Sequence, residues 1–459
     1  MTKAQEFKQQ SEQTAFDTAL HHKLQNSIGQ YQHKHLRGRE QFADLELAKT
    51  RASGLKQKVI ENLDKYLIEF ESNYIKNGGK LIWALNAEEA LKEIEIILQK
   101  HNINCAVKSK SMISEEIHLN EFLKAKNIDC PETDLGEFIQ QEAGERPFHI
   151  VTPAMHKSKE EIAELYKQKF GTPAQASPEE ITKFTREYLR KKFYLADIGI
   201  TGANFLIADA GAIAITENEG NATLSVSMPR IHIAIAGIEK IIPSLNDLDL
   251  FWPLLATYGT GQKLTAYNSV IFGPRQSHEV DGPTDMYLIL LDNGRTNILE
   301  QPEQRRALNC IRCGACLNVC PVYTTIGGHA YGTTYSGPIG KVITPLMKGL
   351  KEYQHLSSAS SLCGKCTEVC PVKIDLHNLL LHNRKEAIQQ GLQPKAEKVT
   401  WYFWKSAMLS RKKMNKGSAK VKNFMLQTFF KKTWGEHRDL PVVAEKSFNQ
   451  LMRERTGNR

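Results

Sequence analysis

No stretch of this 459-residue chain holds the roughly 18 consecutive apolar residues that a membrane helix requires. The opening, MTKAQEFKQQSEQ, is polar with no apolar segment behind it, so a secretory signal is not expected and a cytoplasmic location is. Nucleotide fingerprints are missing too. GITGAN at 199–204 lacks the third glycine of a dinucleotide loop, and GTGQKLT at 259–265 lacks the Gly-Lys-Ser/Thr of a phosphate loop. Flavin or nicotinamide binding within the chain is therefore unsupported. Cysteine is scarce outside one region: of nine, only Cys105 and Cys130 lie away from 310–370, and they read as buried structural thiols. The other seven are an odd number in a large chain without an export signal, which argues against a disulfide framework.

What is present suggests two or three domains. Residues 1–69 read as helical, with apolar positions near 3.6-residue spacing in FADLELAKTRASGLKQKVIENLDKYLIEF and a charged, glutamine-rich surface arm before it. From Gly79 strands alternate with helices: GGKLIWAL, the Asn-capped NAEEALKEIEIILQKHN, INCAVKSKS, a helix opened by Ser114, and FHIVTPA as a further strand. A long helix from Ser177 leads to strands joined by tight turns, closing with DMYLILLDNGR. Residues 70–300 thus form an α/β domain with a parallel or mixed sheet. Polar LEQPEQRRALN marks a boundary, residues 301–392 a cysteine-bearing helical module, and 393–459 a basic helical tail. From Lys395 onward sixteen Lys/Arg face five Asp/Glu, a net +11 that leaves −2 on the remainder. No nucleic-acid motif accompanies this charge. A protein partner or an anionic membrane surface is the expected counterpart, with a solvated helical face as the plain alternative.

The cysteines carry the chemistry. CIRCGACLNVCP, Cys310–Pro321, spaces four thiols by two, two and three residues and ends on proline. Three such thiolates wrap three corners of an iron–sulfur cube, while the fourth, before proline, points to a different cluster. SSLCGKCTEVCP, Ser360–Pro371, repeats the pattern with three cysteines. The spacing assigns Cys310, Cys313, Cys316 and the remote Cys370 to one 4Fe–4S cluster, and Cys320, Cys363 and Cys366 to a second. Where the second run needs its first cysteine stands Ser360. That corner goes to the serine oxygen or another nearby group, stays open, or is absent in a three-iron cluster; a 4Fe–4S site with a non-cysteine or open corner is the preferred reading. Structural zinc favours pairs of C-x2-C knuckles and fits seven cysteines with two Cys-Pro exits poorly.

Polar groups in the α/β domain outline a candidate substrate pocket. KSKSMISEE sets Lys108, Lys110 and Ser111 at a strand-to-helix junction suited to an anion. TENEGN places Asn218, Glu219 and Asn221 at a turn after an apolar strand, and His149, His156 and His232 follow or sit in strand-like segments. Turn, capping and buried-histidine chemistry explain these residues equally well.

Together DIGITGANF, NEGN, HIAIAGIEK, DGPTDMYLILLDNGR, CIRCGACLNVCPVY and CTEVCPVKI resemble the lactate utilisation protein B family, from about Asn62 to the RDLP tail. The resemblance implies an α/β LUD domain similar to the sugar-phosphate isomerase and CoA-transferase group, then a helical ferredoxin-like module and a family-specific tail. It implies the same seven cysteine ligands for two 4Fe–4S clusters, Ser360 departing from the full ferredoxin pattern. It further implies two partner proteins in the oxidation of L-lactate to pyruvate. The expected function is an iron–sulfur electron-transfer subunit passing electrons to a downstream acceptor, reached at the inner membrane face through the tail. The competing readings are a self-sufficient 2-hydroxy-acid oxidoreductase and a cluster-based sensor. No residue reads a hydroxy acid by itself.

Overall fold

Two apolar runs set the middle of the main sheet. IHIAIAG (β6, Ile231–Gly237) is buried throughout, and DMYLILL (β9, Asp285–Leu291) is buried after its first residue. Strands buried on both faces belong inside a parallel sheet, and β6 pairs with β9 in parallel, Ile231 opposite Asp285. Lys80–Ala84 (β1) extends the sheet beyond β9. Ile198–Gly202 (β3) and Ala106–Lys108 (β2) extend it beyond β6, giving the all-parallel order β1-β9-β6-β3-β2. The computed structural model describes residues 1–457 apart from 415, 436 and 437.

Helices cover both faces. Ile94, Ile97 and Leu98 of helix Ala87–Lys100 pack with Ile198, Ile233 and Ile289 on one side. Tyr66, Phe70 and Tyr74 of helix Leu63–Lys76 pack with Ala234, Leu288 and Leu290 on the other. A second sheet of Phe205–Ile207 (β4), Ala212–Glu217 (β5), Ile241–Ile242 (β7) and Tyr267–Ile271 (β8) runs β7-β4-β5-β8. In it β5 is antiparallel to both neighbours.

Two local expectations change, and the N-terminal arm gains an anchor. Helix Met112–Glu116 is capped by Ser111, whose extended backbone lets Oγ accept the Ser114 N–H at 3.4 Å; Ser114 lies inside the helix. FHIVTPA forms a turn instead of a strand, because His149 Nδ1 accepts the backbone N–H groups of Val151 and Thr152. The N-terminal arm is a helix, Lys3–Ala15, anchored by Phe7 against Tyr331 and His355 at 5.9 and 5.4 Å between ring centres.

The chain divides into two compact units, 1–387 and 388–459. Within the first, Leu308, Ile311, Leu317 and Tyr323 of the cysteine region share one core with Phe205, Ile207, Phe251, Leu254 and Tyr258. The polar stretch before Cys310 is accordingly no open tether: it folds as helix Arg295–Glu300 and a 3-10 turn at Gln304–Asn309. The second unit contains helices Lys395–Met408, Ala419–Met425 and Phe448–Thr456, whose residues are largely exposed.

Candidate metal centre and the cavity beside it

The two cysteine runs repeat one backbone device. Arg312 and Leu362, each two residues after the first motif position, adopt left-handed φ of 61° and 55°. Gly314 and Gly364 follow at 80° and 82°, each opening a one-turn helix, Ala315–Asn318 and Lys365–Val369. Cys320 and Cys370 then return to extended backbone ahead of proline. Left-handed conformations at non-glycine residues cost energy and concentrate at functional sites. Here they curl the chain so that its first side chain faces inward. The Arg312 N–H donates to Cys310 Sγ at 3.4 Å; in the second run the Leu362 N–H donates to Ser360 Oγ at 3.1 Å. Ser360 thus occupies the place that Cys310 holds in the first turn.

All seven thiols are free; Cys313, Cys320, Cys366 and Cys370 are buried, Cys310 and Cys316 half-buried, and Cys363 exposed. Burial pushes Cys370 up to about 12, with Cys310 adding to the rise; burial pushes Cys366 up to about 11, with Cys320 adding. Burial raises Cys313 and Cys316 as well, again with neighbouring thiols contributing. The last cysteine of each run therefore lies in the field of the other run. Crowded buried thiols of this kind ionise when a metal takes the protons' place.

The donor set fits an iron–sulfur cube better than zinc. A zinc ion with bonds of about 2.3 Å draws its thiolates to within about 4 Å of each other. Among the described residues, the donor groups of three within 4.8 Å are Glu145/His156/His329 and Glu115/Glu132/Glu137, without a cysteine. A cube with irons at separate corners suits the wider spacing. One cation faces the sulfurs directly: buried Lys341 Nζ donates to Cys320 Sγ at 3.7 Å, and Cys366 and Cys316 also bear on it.

Beside this centre lies a cavity of about 400 Å³. Its floor is the carboxyl end of the main sheet, with Ser109, Lys110 and Ser111 after β2, Gly202 ending β3 and Asn204 after it, and Gly237 ending β6 with Glu239 and Lys240 after it. Open parallel sheets place ligands there. The turn after β5 adds Asn218, Glu219 and Asn221, and the cysteine region adds Arg312, Cys313 and Tyr335.

A buried ion network joins the two regions under the cavity. Arg295 donates to both Glu116 oxygens at 2.9 Å and through Nε to Glu239 at 2.6 Å. The Tyr335 hydroxyl and the Asn293 amide reach Glu116 at 2.6 and 2.7 Å, and Arg312 reaches Glu239 at 3.4 Å while lying over the Tyr335 ring. Burial opposes charge on Glu239, but Arg295, Arg312 and Lys240 outweigh it and hold the carboxyl down at about 2. Glu116 is likewise held low against its burial, chiefly by Arg295. Burial pulls Lys240 down to about 8, with Arg312 adding to the fall.

A LUD domain model matches residues 67–291, and a 4Fe-4S dicluster domain model matches 306–374. Lactate utilization protein B of Bacillus cytotoxicus is 42% identical over 412 residues, covering 87% of this chain and 86% of that protein. The chain belongs to the lactate utilization protein B family. The protein of the same name from Bacillus thuringiensis is 41% identical over the same shares. A crystal structure of a DUF162 family protein from Deinococcus radiodurans aligns with 50% of this chain and 98% of its own, at 13% identity and a TM-score of 0.27. That likeness is too low to bear on the fold. The architecture is a LUD domain with a parallel sheet, followed by the region that the 4Fe-4S dicluster domain model matches.

Within this member of the family, the expected pocket residues separate into two groups. Lys110, Asn218, Glu219 and Asn221 line the cavity. Lys110 donates to the Val151 carbonyl at 2.8 Å, Asn218 exchanges two amide bonds with Gln262 at 3.0 Å, and Asn221 lies 3.2 Å from the Thr133 hydroxyl. Burial lifts Glu219 to about 7, with Asp134 adding. Lys108 and His232 lie off the wall. Lys108 is fully buried and neutralised by Glu132 at 2.6 Å, and His232 is sealed in β6 against the Thr201 hydroxyl at 2.8 Å. Of the other two histidines, His149 caps its turn and His156 bonds Glu145 at 2.9 Å. Sequence reasoning missed Glu116, Glu239, Lys240, Arg295, Arg312, Tyr335 and Lys341. Four of them stand in stretches that carried the resemblance, Glu239 and Lys240 in HIAIAGIEK, Arg295 ending DGPTDMYLILLDNGR and Arg312 inside CIRCGAC, while Glu116 ends KSKSMISEE.

Proposed function

We propose that this chain is the iron–sulfur electron-transfer subunit of a multi-protein system that oxidises L-lactate to pyruvate. Two 4Fe–4S clusters would be held by Cys310, Cys313, Cys316 and Cys370, and by Cys320, Cys363 and Cys366 with Ser360 at the fourth position. Such clusters supply one-electron carriage at a potential set by charge and hydrogen bonding around the sulfurs. The observation that carries the reading is the reciprocal placement of Cys370 with Cys310 and of Cys320 with Cys366. The chain's own part is to bury Cys313 and Cys370 at the first site and Cys320 and Cys366 at the second, to place Lys341 as a counter-charge at Cys320, and to donate the Arg312 and Ile374 N–H groups to Cys310 and Cys370.

The substrate and two partner proteins come from family membership, as does a LUD fold of the isomerase and CoA-transferase type. A downstream acceptor at the membrane surface is supported by the tail. Its net positive charge accompanies exposed Trp401, Tyr402, Phe403 and Trp404 on one helix, a pairing that suits an anionic interface. Among the described residues no helix is long and apolar enough to cross a membrane.

The test is anaerobic: the purified chain is mixed with L-lactate, with and without the two partners, and cluster reduction is followed by EPR. Reduction that requires the partners is the expected result. Reduction by lactate alone makes the chain a self-sufficient oxidoreductase, and a cluster that no combination reduces removes the relay.

Ser360→Cys gives a second expected outcome. Because Ser360 already sits in the turn that presents Cys310 in the first run, a thiolate there completes the second site. Iron content should stay level or rise, and the second cluster's potential should fall. Loss of that cluster contradicts the assignment.

A further inference from the structure

The cavity between the sheet and the cysteine region has an unbalanced wall. Its carboxylates are engaged. Glu239 faces Arg295 and Arg312, and Glu217 accepts the N–H groups of Ala222 and Thr223 at 2.7 Å each. Glu219 accepts the Leu135 N–H at 3.1 Å, and Asp134 caps Glu137 at 3.1 Å. Two of the cations are less fully engaged. Arg312 Nη1 is buried without a hydrogen-bond partner, and Lys240 makes no hydrogen bond or ion pair among the described residues. The unpaired buried Arg312 N–H costs free energy, and an acceptor of opposite charge removes that cost. Flanking them is the Asn204 amide, suited to a hydroxyl or carbonyl oxygen. Cys313, a proposed ligand of the first cluster, completes the same wall.

We propose that this cavity binds a small organic carboxylate, its anionic end on Lys240 and Arg312, directly beside the Cys313 side of the first cluster. The inference rests on the electron-transfer reading above and adds to it. Redox partner and organic acid would meet in this chain, so occupancy of the cavity would be felt at one cluster and not at the other.

Anaerobically prepared, cluster-loaded full-length protein should be titrated with pyruvate, L-lactate and inorganic phosphate by calorimetry, and its reduced EPR spectrum recorded with each. The expected result is binding of pyruvate or L-lactate in preference to phosphate, with a change in one cluster's signal only. Lys240→Met should weaken binding roughly ten-fold or more, as loss of a charge-assisted hydrogen bond does. Lys240→Arg should retain most of it, and both variants should keep the parent's iron content. Absence of carboxylate binding, preference for phosphate, or equal binding to Lys240→Met overturns the inference. So does a Lys240→Met protein whose cluster potential moves while the wild type binds neither acid, because the cations then serve only to balance cluster charge. Partner-dependent reduction by lactate would survive each of those outcomes, which separates this inference from the relay reading.

Discussion

Cys370→Ala should remove the first cluster, although the three cysteines of the first run remain in place. Iron should fall from about eight per chain toward about four, and the surviving EPR signal should be the one that Ser360→Cys perturbs. The reason is the placement of Cys370. It lies past its own one-turn helix, with its sulfur accepting the Ile374 N–H at 3.4 Å and with Cys310 adding to the rise of its thiol. Cys320→Ala should do the converse and take the second cluster, because Cys320 faces Cys366 and Lys341. If each run instead served its own cluster, the two variants would exchange phenotypes. Iron and sulfide analysis with EPR on both proteins decides between them.

Glu116→Leu should cost about 3–5 kcal/mol of stability, read as a lowered urea midpoint of the first unit's unfolding. Glu116 is fully buried and accepts two hydrogen bonds from Arg295, one from Tyr335 and one from Asn293. Truncation leaves the Arg295 guanidinium buried with only Glu239 and the Asp292 carbonyl. Arg295→Leu should be comparably damaging. The double variant should lose much less than the two single costs added together, because the uncompensated charge has then gone from both sides. The pH dependence has a definite sign. Both carboxyls titrate lower in the folded protein than in the unfolded chain, so their stabilisation is complete above the ordinary carboxylate pKa. It is lost as pH falls through the folded values, toward about 2 for Glu239. Stability that stays flat from neutral pH down through that window would contradict the network's role.

The parallel sheet was legible because β6 and β9 are largely apolar runs and because Asn86 and Ser177 announce helix starts with Glu three residues on. The proposed cysteine ligands follow from spacing alone. Ser360 was visible as a missing thiol, but its hydrogen bond, which makes it the counterpart of Cys310, is a property of backbone curvature at Leu362. The cavity was half legible. Lys110 and the residues at 218–221 sit on local turns, whose chemistry can be read nearby. Glu116, Glu239, Arg295 and Arg312 come from four segments up to nearly two hundred positions apart, and only the folded sheet brings them together. Lys108 and His232 misled for a related reason. Sequence gives a charge or an imidazole a position along a strand, but Glu132 and Thr201, which neutralise or satisfy them, arrive from elsewhere.

Ligand exchange between the two runs is the claim beneath the rest, and fully reduced, anaerobically isolated protein tests it most directly. Its iron and acid-labile sulfide should each come to about eight per chain, with an EPR spectrum broadened by two neighbouring paramagnets. Colourless protein, stoichiometric zinc, or a single isolated cluster signal at full reduction would contradict it.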